Sequence, residues 1–300
     1  MVLKKLVIFG VGLIGGSVAL ALKKADSNVH IVGVGRSTES LETALKLGVI
    51  DEKSDWLEIN IQKACSDADV ILIAAPVAQT ASILQSIKPH LNNNTVITDA
   101  GSTKSDVIAC AHDILGEQFS QFIGGHPIAG AEKSGVAAAK SDLFLGKNVV
   151  LTPVISPAQE ATNNKNRDAV LAVTALWQAC GANVSEMSAE NHDSIFAAVS
   201  HLPHLLAFAL VDEIASRSNA EELFSFAASG FRDFTRIAGS HPEMWRDISL
   251  ANKTALLSEI NTFEKELSTL KQLISQEDGA GLQALFERAS VARNAWGQKH

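Results

Sequence analysis

Polar side chains able to do chemistry gather in a few short segments of this 300-residue chain. His126 stands in Gly124-Gly125-His126-Pro127-Ile128-Ala129-Gly130, so its ring is predicted to be presented on a turn. An imidazole titrates near neutral pH and can accept a proton from a reacting hydroxyl. Asp99-Ala100-Gly101-Ser102-Thr103-Lys104 supplies a second polar loop. Further on come His192-Asp193, Ser200-His201-Leu202-Pro203-His204 and Gly230-Phe231-Arg232-Asp233-Phe234-Thr235-Arg236. Arg232 and Arg236 share a helix face at i,i+4 and could clamp a carboxylate or pair with Asp233 or Asp247. His192 and His201 would lie on opposite faces of one continuous helix and HExxH spacing is missing, so no metal site is expected. The chain has no Tyr, which removes tyrosine as a catalytic acid.

Gly10-Val11-Gly12-Leu13-Ile14-Gly15 falls between an apolar strand, Leu6–Phe9, and a helical pattern, Leu13–Lys24. That context fits a dinucleotide turn, in which glycines let the backbone approach a pyrophosphate at a helix N-terminus. The next strand, Val29–Val34, ends in Gly35-Arg36-Ser37. A site selective for NAD usually carries a carboxylate there; Arg36 and Ser37 suit the 2′-phosphate of NADP instead. NADP is therefore expected in preference to NAD. Ala75 and Pro76, closing the strand that starts at Val70, join Gly10, Gly12, Leu13, Ile14, Gly15, Arg36 and Ser37 as candidate cofactor contacts.

Short β-rich runs alternate with helical patterns through the first half, the signature of a parallel α/β sheet. Strands are predicted at Val70–Ala74, Val96–Thr98, Phe122–Ile123, Val149–Leu151 and Val184–Met187. Ser156–Arg167 reads as a loop and Ala169–Ala179 as a helix. From Ser188 onward the spacing of Ile195, Phe196, Val199, Leu202, Leu205 and Leu206, and later of Leu256, Ile260, Phe263 and Leu267, is helical. The fold expected is α/β: a Rossmann-type dinucleotide-binding domain over residues 1–188, then an all-helical domain over 189–300 that pairs two copies into a homodimer.

A net charge of −8 with no basic stripe argues against nucleic-acid binding. Three scattered cysteines suit free thiols in a reducing compartment, so a cytoplasmic protein is expected. Met1–Leu22 has the basic start and uncharged run of a secretory leader, but its glycines fit the dinucleotide turn better. No other stretch is expected to approach the roughly 20 apolar residues of a membrane span.

The Gly10–Gly15 turn, Asp99–Lys104, Gly124–Gly135, Met187–Asp193, Ser200–His204 and Gly230–Ala238, in that order, resemble the prephenate/arogenate dehydrogenase family of tyrosine biosynthesis. The resemblance spans nearly the whole chain. It implies that His126 accepts the proton of the substrate's ring hydroxyl and that Ser102 orients both. It also implies Arg236 on a substrate carboxylate, His192, His204 and Trp245 lining the pocket, and Glu132 as a gate. Relatives often carry Thr where this chain has Ala131. No tyrosine-sensing regulatory domain and no mutase domain is expected within the chain. A β-hydroxyacid dehydrogenase on a related plan, using a helical-domain lysine, and a noncatalytic redox sensor are the competing readings.

Overall fold

The structure, a computed structural model, describes residues 3–25, 28–131, 133–154 and 164–297. Glu132 and the Ser156–Asn163 part of the expected loop lie outside them. Among the described residues, eight strands form one sheet: β1 (Lys5–Phe9), β2 (His30–Val34), β3 (Glu52–Ser54), β4 (Val70–Ile73), β5 (Val96–Asp99), β6 (Phe122–Pro127), β7 (Asn148–Thr152) and β8 (Asn183–Glu186). Their order is β3-β2-β1-β4-β5-β6-β7-β8, and every described pairing is parallel except β6 with β7. Side chains alternate between sheet faces, so Leu6 and Ile8 enter one apolar cluster while Val7 and Phe9 enter the other. Helices α1 (Leu13–Ala25) and α6 (Asn164–Ala179) cover the first face. The second is covered by α3 (Glu58–Cys65), α4 (Thr80–Ile87) and α5 (Ser105–Leu115); α2 (Thr38–Lys46) follows β2. With Leu6–Phe9 wholly buried in a central strand, the N-terminal apolar run is part of the fold.

Several expectations are corrected. β3 was not anticipated, because its three residues Glu-Lys-Ser have the charged character of a sheet edge. α3 was missed because it buries only Ile61, Ala64 and Cys65. α6 begins at Asn164, five residues ahead of the helix read from Ala169, since its first turn is polar. β6 extends through His126, which pairs with Val150 of β7, so this histidine sits on a strand and not on a turn.

Beyond β8 the described residues form no strand. α7 (Ala189–Phe196) and α8 (Leu202–Ala215) are separated by a π-helical segment, Ala197–His201. Pro203 enters α8 without a backbone N–H, and the widened turn ahead of it accommodates the lost bond. The expected single regular helix is therefore interrupted. The run Ala189–Ala215 is long and apolar enough by length and composition to cross a membrane, contrary to expectation. It nevertheless carries buried, hydrogen-bonded His192, Asp193 and His201. Next come α9 (Ala220–Ser225), α10 (Ser229–Thr235) and α11 (Pro242–Ala251). Two compact units divide after Asn252; the second consists of α12 (Lys253–Ser275) and α13 (Gly279–Gly297).

Candidate active site

The strand order reverses between β1 and β4, and ligands of such sheets bind at the C-terminal strand ends beside that point. Gly10 follows β1 with φ of +94°, and a Cβ there would meet the Ala74 carbonyl oxygen at 2.7 Å. At Gly15 a Cβ would lie 2.3 Å from the Gly10 carbonyl oxygen. The turn thus closes only with glycine at both positions. Where Gly12 would carry a Cβ there is open space, facing a cleft lined also by Val34, Arg36, Trp56, Ala75 and Pro76. An open backbone at the N-terminus of α1 is what an approaching pyrophosphate needs, so these residues fit a dinucleotide. Ser37 caps α2 by accepting from the Ser40 N–H at 3.2 Å, which leaves its own O–H free to donate.

Further along the same sheet edge, Asp99 ends β5 and accepts from the N–H groups of Gly101 (2.8 Å) and Gly125 (3.0 Å). Its partner is the Lys104 ammonium, whose side chain is fully buried. A buried pair is costly to break, by about 3–5 kcal/mol when one partner is removed. The pair closes the β5 loop on itself, and the bond from Gly125 N–H to Asp99 fastens it to β6. Half-buried His126 packs edge-on against Phe196, ring centroids 4.8 Å apart, and its Nδ1 lies 2.8 Å from His192 Nε2. His192 Nδ1 in turn lies 2.8 Å from Asp193 Oδ1. Burial, followed by the Lys104 charge and the two other histidines, holds the His126 imidazole well below its ordinary pKa. It is neutral at neutral pH, as a proton acceptor must be.

His192 is fully buried behind His126. Ser102 is half-buried in the β5 loop, and its hydroxyl has no hydrogen-bond partner among the described residues. His204 donates from Nδ1 to the Ser200 carbonyl at 2.8 Å and stacks on Trp245 at 3.8 Å. Burial, and then the Arg236 charge, lowers its pKa. Arg236 begins the turn after α10 and is exposed. Asp247 pairs with Arg246. Asn252 donates from Nδ2 both to the Asp193 carbonyl (2.8 Å) and to His201 Nδ1 (3.1 Å), tying α7 to the last residue of the π segment. Among the described residues, no group of three or more His, Cys, Asp or Glu side chains could hold a metal ion. The sequence marks Asp99–Lys104 and His192-Asp193 as polar segments but gives no sign of the parts played by Asp99, Lys104, Asp193 and Asn252, whose partners lie far along the chain or in buried pairs.

A doubly wound sheet with a glycine turn at its switch point, and a neutral histidine on the same strand-end edge, marks a dinucleotide-dependent oxidoreductase. The family model of the prephenate dehydrogenase nucleotide-binding domain matches residues 18–186, and that of the prephenate dehydrogenase dimerization domain matches 188–288. The chain belongs to the prephenate dehydrogenase family. It is 39% identical over 291 residues to the prephenate dehydrogenase of Bacillus subtilis, covering 96% of this chain and 75% of that protein. To the cyclohexadienyl dehydrogenase of Zymomonas mobilis it is 33% identical over 302 residues, with 100% and 98% covered. The prephenate dehydrogenase of A. aeolicus, solved in complex with hydroxyphenyl propionate and NAD+, superposes with a TM-score of 0.89 at 37% identity, covering 98% and 99%. The β-hydroxyacid and redox-sensor readings find no such support.

Proposed function

We propose that this chain catalyses oxidative decarboxylation of prephenate, arogenate or both, with NADP preferred to NAD. Bound in the glycine-turn cleft, the nicotinamide dinucleotide supplies a hydride acceptor. Gly10, Gly12, Leu13, Ile14 and Gly15 hold its pyrophosphate, Arg36 and Ser37 its ribose, and Ala75 and Pro76 flank it. His126 takes the ring-hydroxyl proton at Nε2 as hydride leaves the carbon bearing that hydroxyl. The ring carboxylate, on the carbon across the ring from that hydroxyl, departs as CO2, and the electrons of the broken bond make the ring aromatic. Ser102 orients the hydroxyl and His126. Arg236 binds a substrate carboxylate through its planar fork, and His204 on Trp245 forms a wall of the pocket. Glu132 is assigned as the gate at its mouth by family resemblance alone.

The observation that carries this reading is His126, neutral and partly accessible on β6, with its Nδ1 already engaged by His192. Functionally the chain divides near residue 188, where one family model gives way to the other. The helical part pairs two copies into a homodimer, and the enzyme works in the cytoplasm. The test is a steady-state assay of each substrate with each cofactor, in the wild type and in His126→Asn. Turnover is expected to fall by roughly 10²–10⁴-fold in the variant with little change in binding. Near-normal turnover in a folded variant would remove His126 from this role.

A further inference from the structure

Behind His126 runs a chain of hydrogen bonds whose direction is set at one end. The Asp193 carboxylate accepts from the backbone N–H of Lys104 at Oδ1 (2.9 Å) and from that of Ser105 at Oδ2 (2.8 Å), at the start of α5. Burial works against its charge, but the bonds from His192, Ser105 and Lys104 outweigh it and hold the carboxyl below its usual range. An ionised carboxylate can only accept. His192 Nδ1, 2.8 Å from Oδ1, must therefore carry the proton, and His192 Nε2 must present a lone pair. His126 Nδ1 lies 2.8 Å from that lone pair, so it must donate. His126 Nε2 then has no proton of its own.

We propose that Asp193 and His192 form a positioning pair that fixes His126 in the tautomer with Nε2 free to receive the substrate proton. The inference rests on the assignment of His126 as the proton acceptor. The family resemblance puts His192 in the pocket lining; because its side chain is fully buried, the role proposed here is to hold His126 and not to contact substrate, with Asp193 beyond it. In the reaction the substrate O–H bond breaks and its proton joins His126 Nε2. The Nδ1–H stays donated to His192, and the positive charge formed is balanced through His192 by the Asp193 carboxylate. No proton travels along the chain.

Gln at position 192 can reproduce the polarity of the pair, its amide N–H donating to Asp193 and its carbonyl accepting from His126. Phe cannot. With the fold monitored by thermal melting, His192→Phe is expected to lower kcat by roughly 10²–10³-fold while substrate KM changes less than about threefold. His192→Gln should recover at least tenfold of that loss. Nitrogen-15 spectra of histidine-labelled wild type should show His126 protonated at Nδ1 and bare at Nε2, with His192→Phe losing that single tautomer. Protonated Nε2 in the wild type, or a His192→Phe effect confined to KM, would overturn the proposal. If instead the spectra and both position-192 variants behave as expected while His126→Asn keeps its turnover, the proton-acceptor assignment fails and the hydrogen-bond chain stands.

Discussion

At the scale of single residues, environment decides what four histidines can do. His126, His192, His201 and His204 are all held below the ordinary imidazole value, burial leading in each case. For His126 this sets a pH dependence. Protonation removes the lone pair that accepts the substrate proton, and the shift is downward from 6.5. The acid limb of kcat/KM should therefore fall below pH 6.5, with activity steady from pH 7.5 down to that point. A limb centred above pH 7 in substrate- and cofactor-saturation controls would contradict it. The proposal of His126 as the base is read from its glycine-proline setting in the sequence and the motif around it. The mounting of His126 on a strand was not legible there, because Gly-Gly-His-Pro resembles a turn until β7 is laid beside it. Nor was the Asp193 chain, which joins positions 88 residues apart from Ser105 and 66 apart from His126 to His192.

Among the elements, the β1–α1 turn was the most legible, because the spacing of Gly10, Gly12 and Gly15 is itself a statement about backbone clearance. The α7–α8 run was the least. Apolar periodicity announces a helix but carries no sign of a π segment that rotates His201 relative to His192. The proposed preference for NADP rests on the β2–α2 connection. At Gly35 an added Cβ would meet Leu41 atoms no closer than 3.5 Å, ordinary contact, so a larger residue fits there without backbone strain. Gly35→Asp should thus shift preference toward NAD, by placing a carboxylate against the 2′-phosphate. Arg36→Ala should weaken NADP by about 1.5–3 kcal/mol, roughly 10–150-fold, and leave NAD nearly unchanged. Comparing kcat/KM for both cofactors across the three proteins checks this. Equal loss for both in Arg36→Ala would mean that Arg36 stacks on adenine, and a wild-type preference for NAD would refute the assignment.

For the whole molecule, the buried histidines make stability depend on pH. His201 is lowered to about 4 by burial, against 6.5 when exposed. Between those values the unfolded chain binds a proton that the folded one refuses, so stability rises with pH across the window and is lost on acidification. One such group accounts for about 3 kcal/mol over the full interval, and His126, His192 and His204 act in the same direction. Urea midpoints should drop steadily from pH 7 to 4.5, and His201→Gln should flatten that slope. A midpoint that holds or rises on acidification would show that these rings are not buried in the neutral form. Placing His126 within β6 has a different consequence, for motion. Gly124–Pro127 are in register with Thr152–Val149 of β7, so displacing His126 requires breaking a ladder, whereas Ser102 lies on a connection outside it. The position of the proposed proton acceptor is therefore as durable as the pairing of β6 with β7, and loosening it costs local unfolding of the sheet edge.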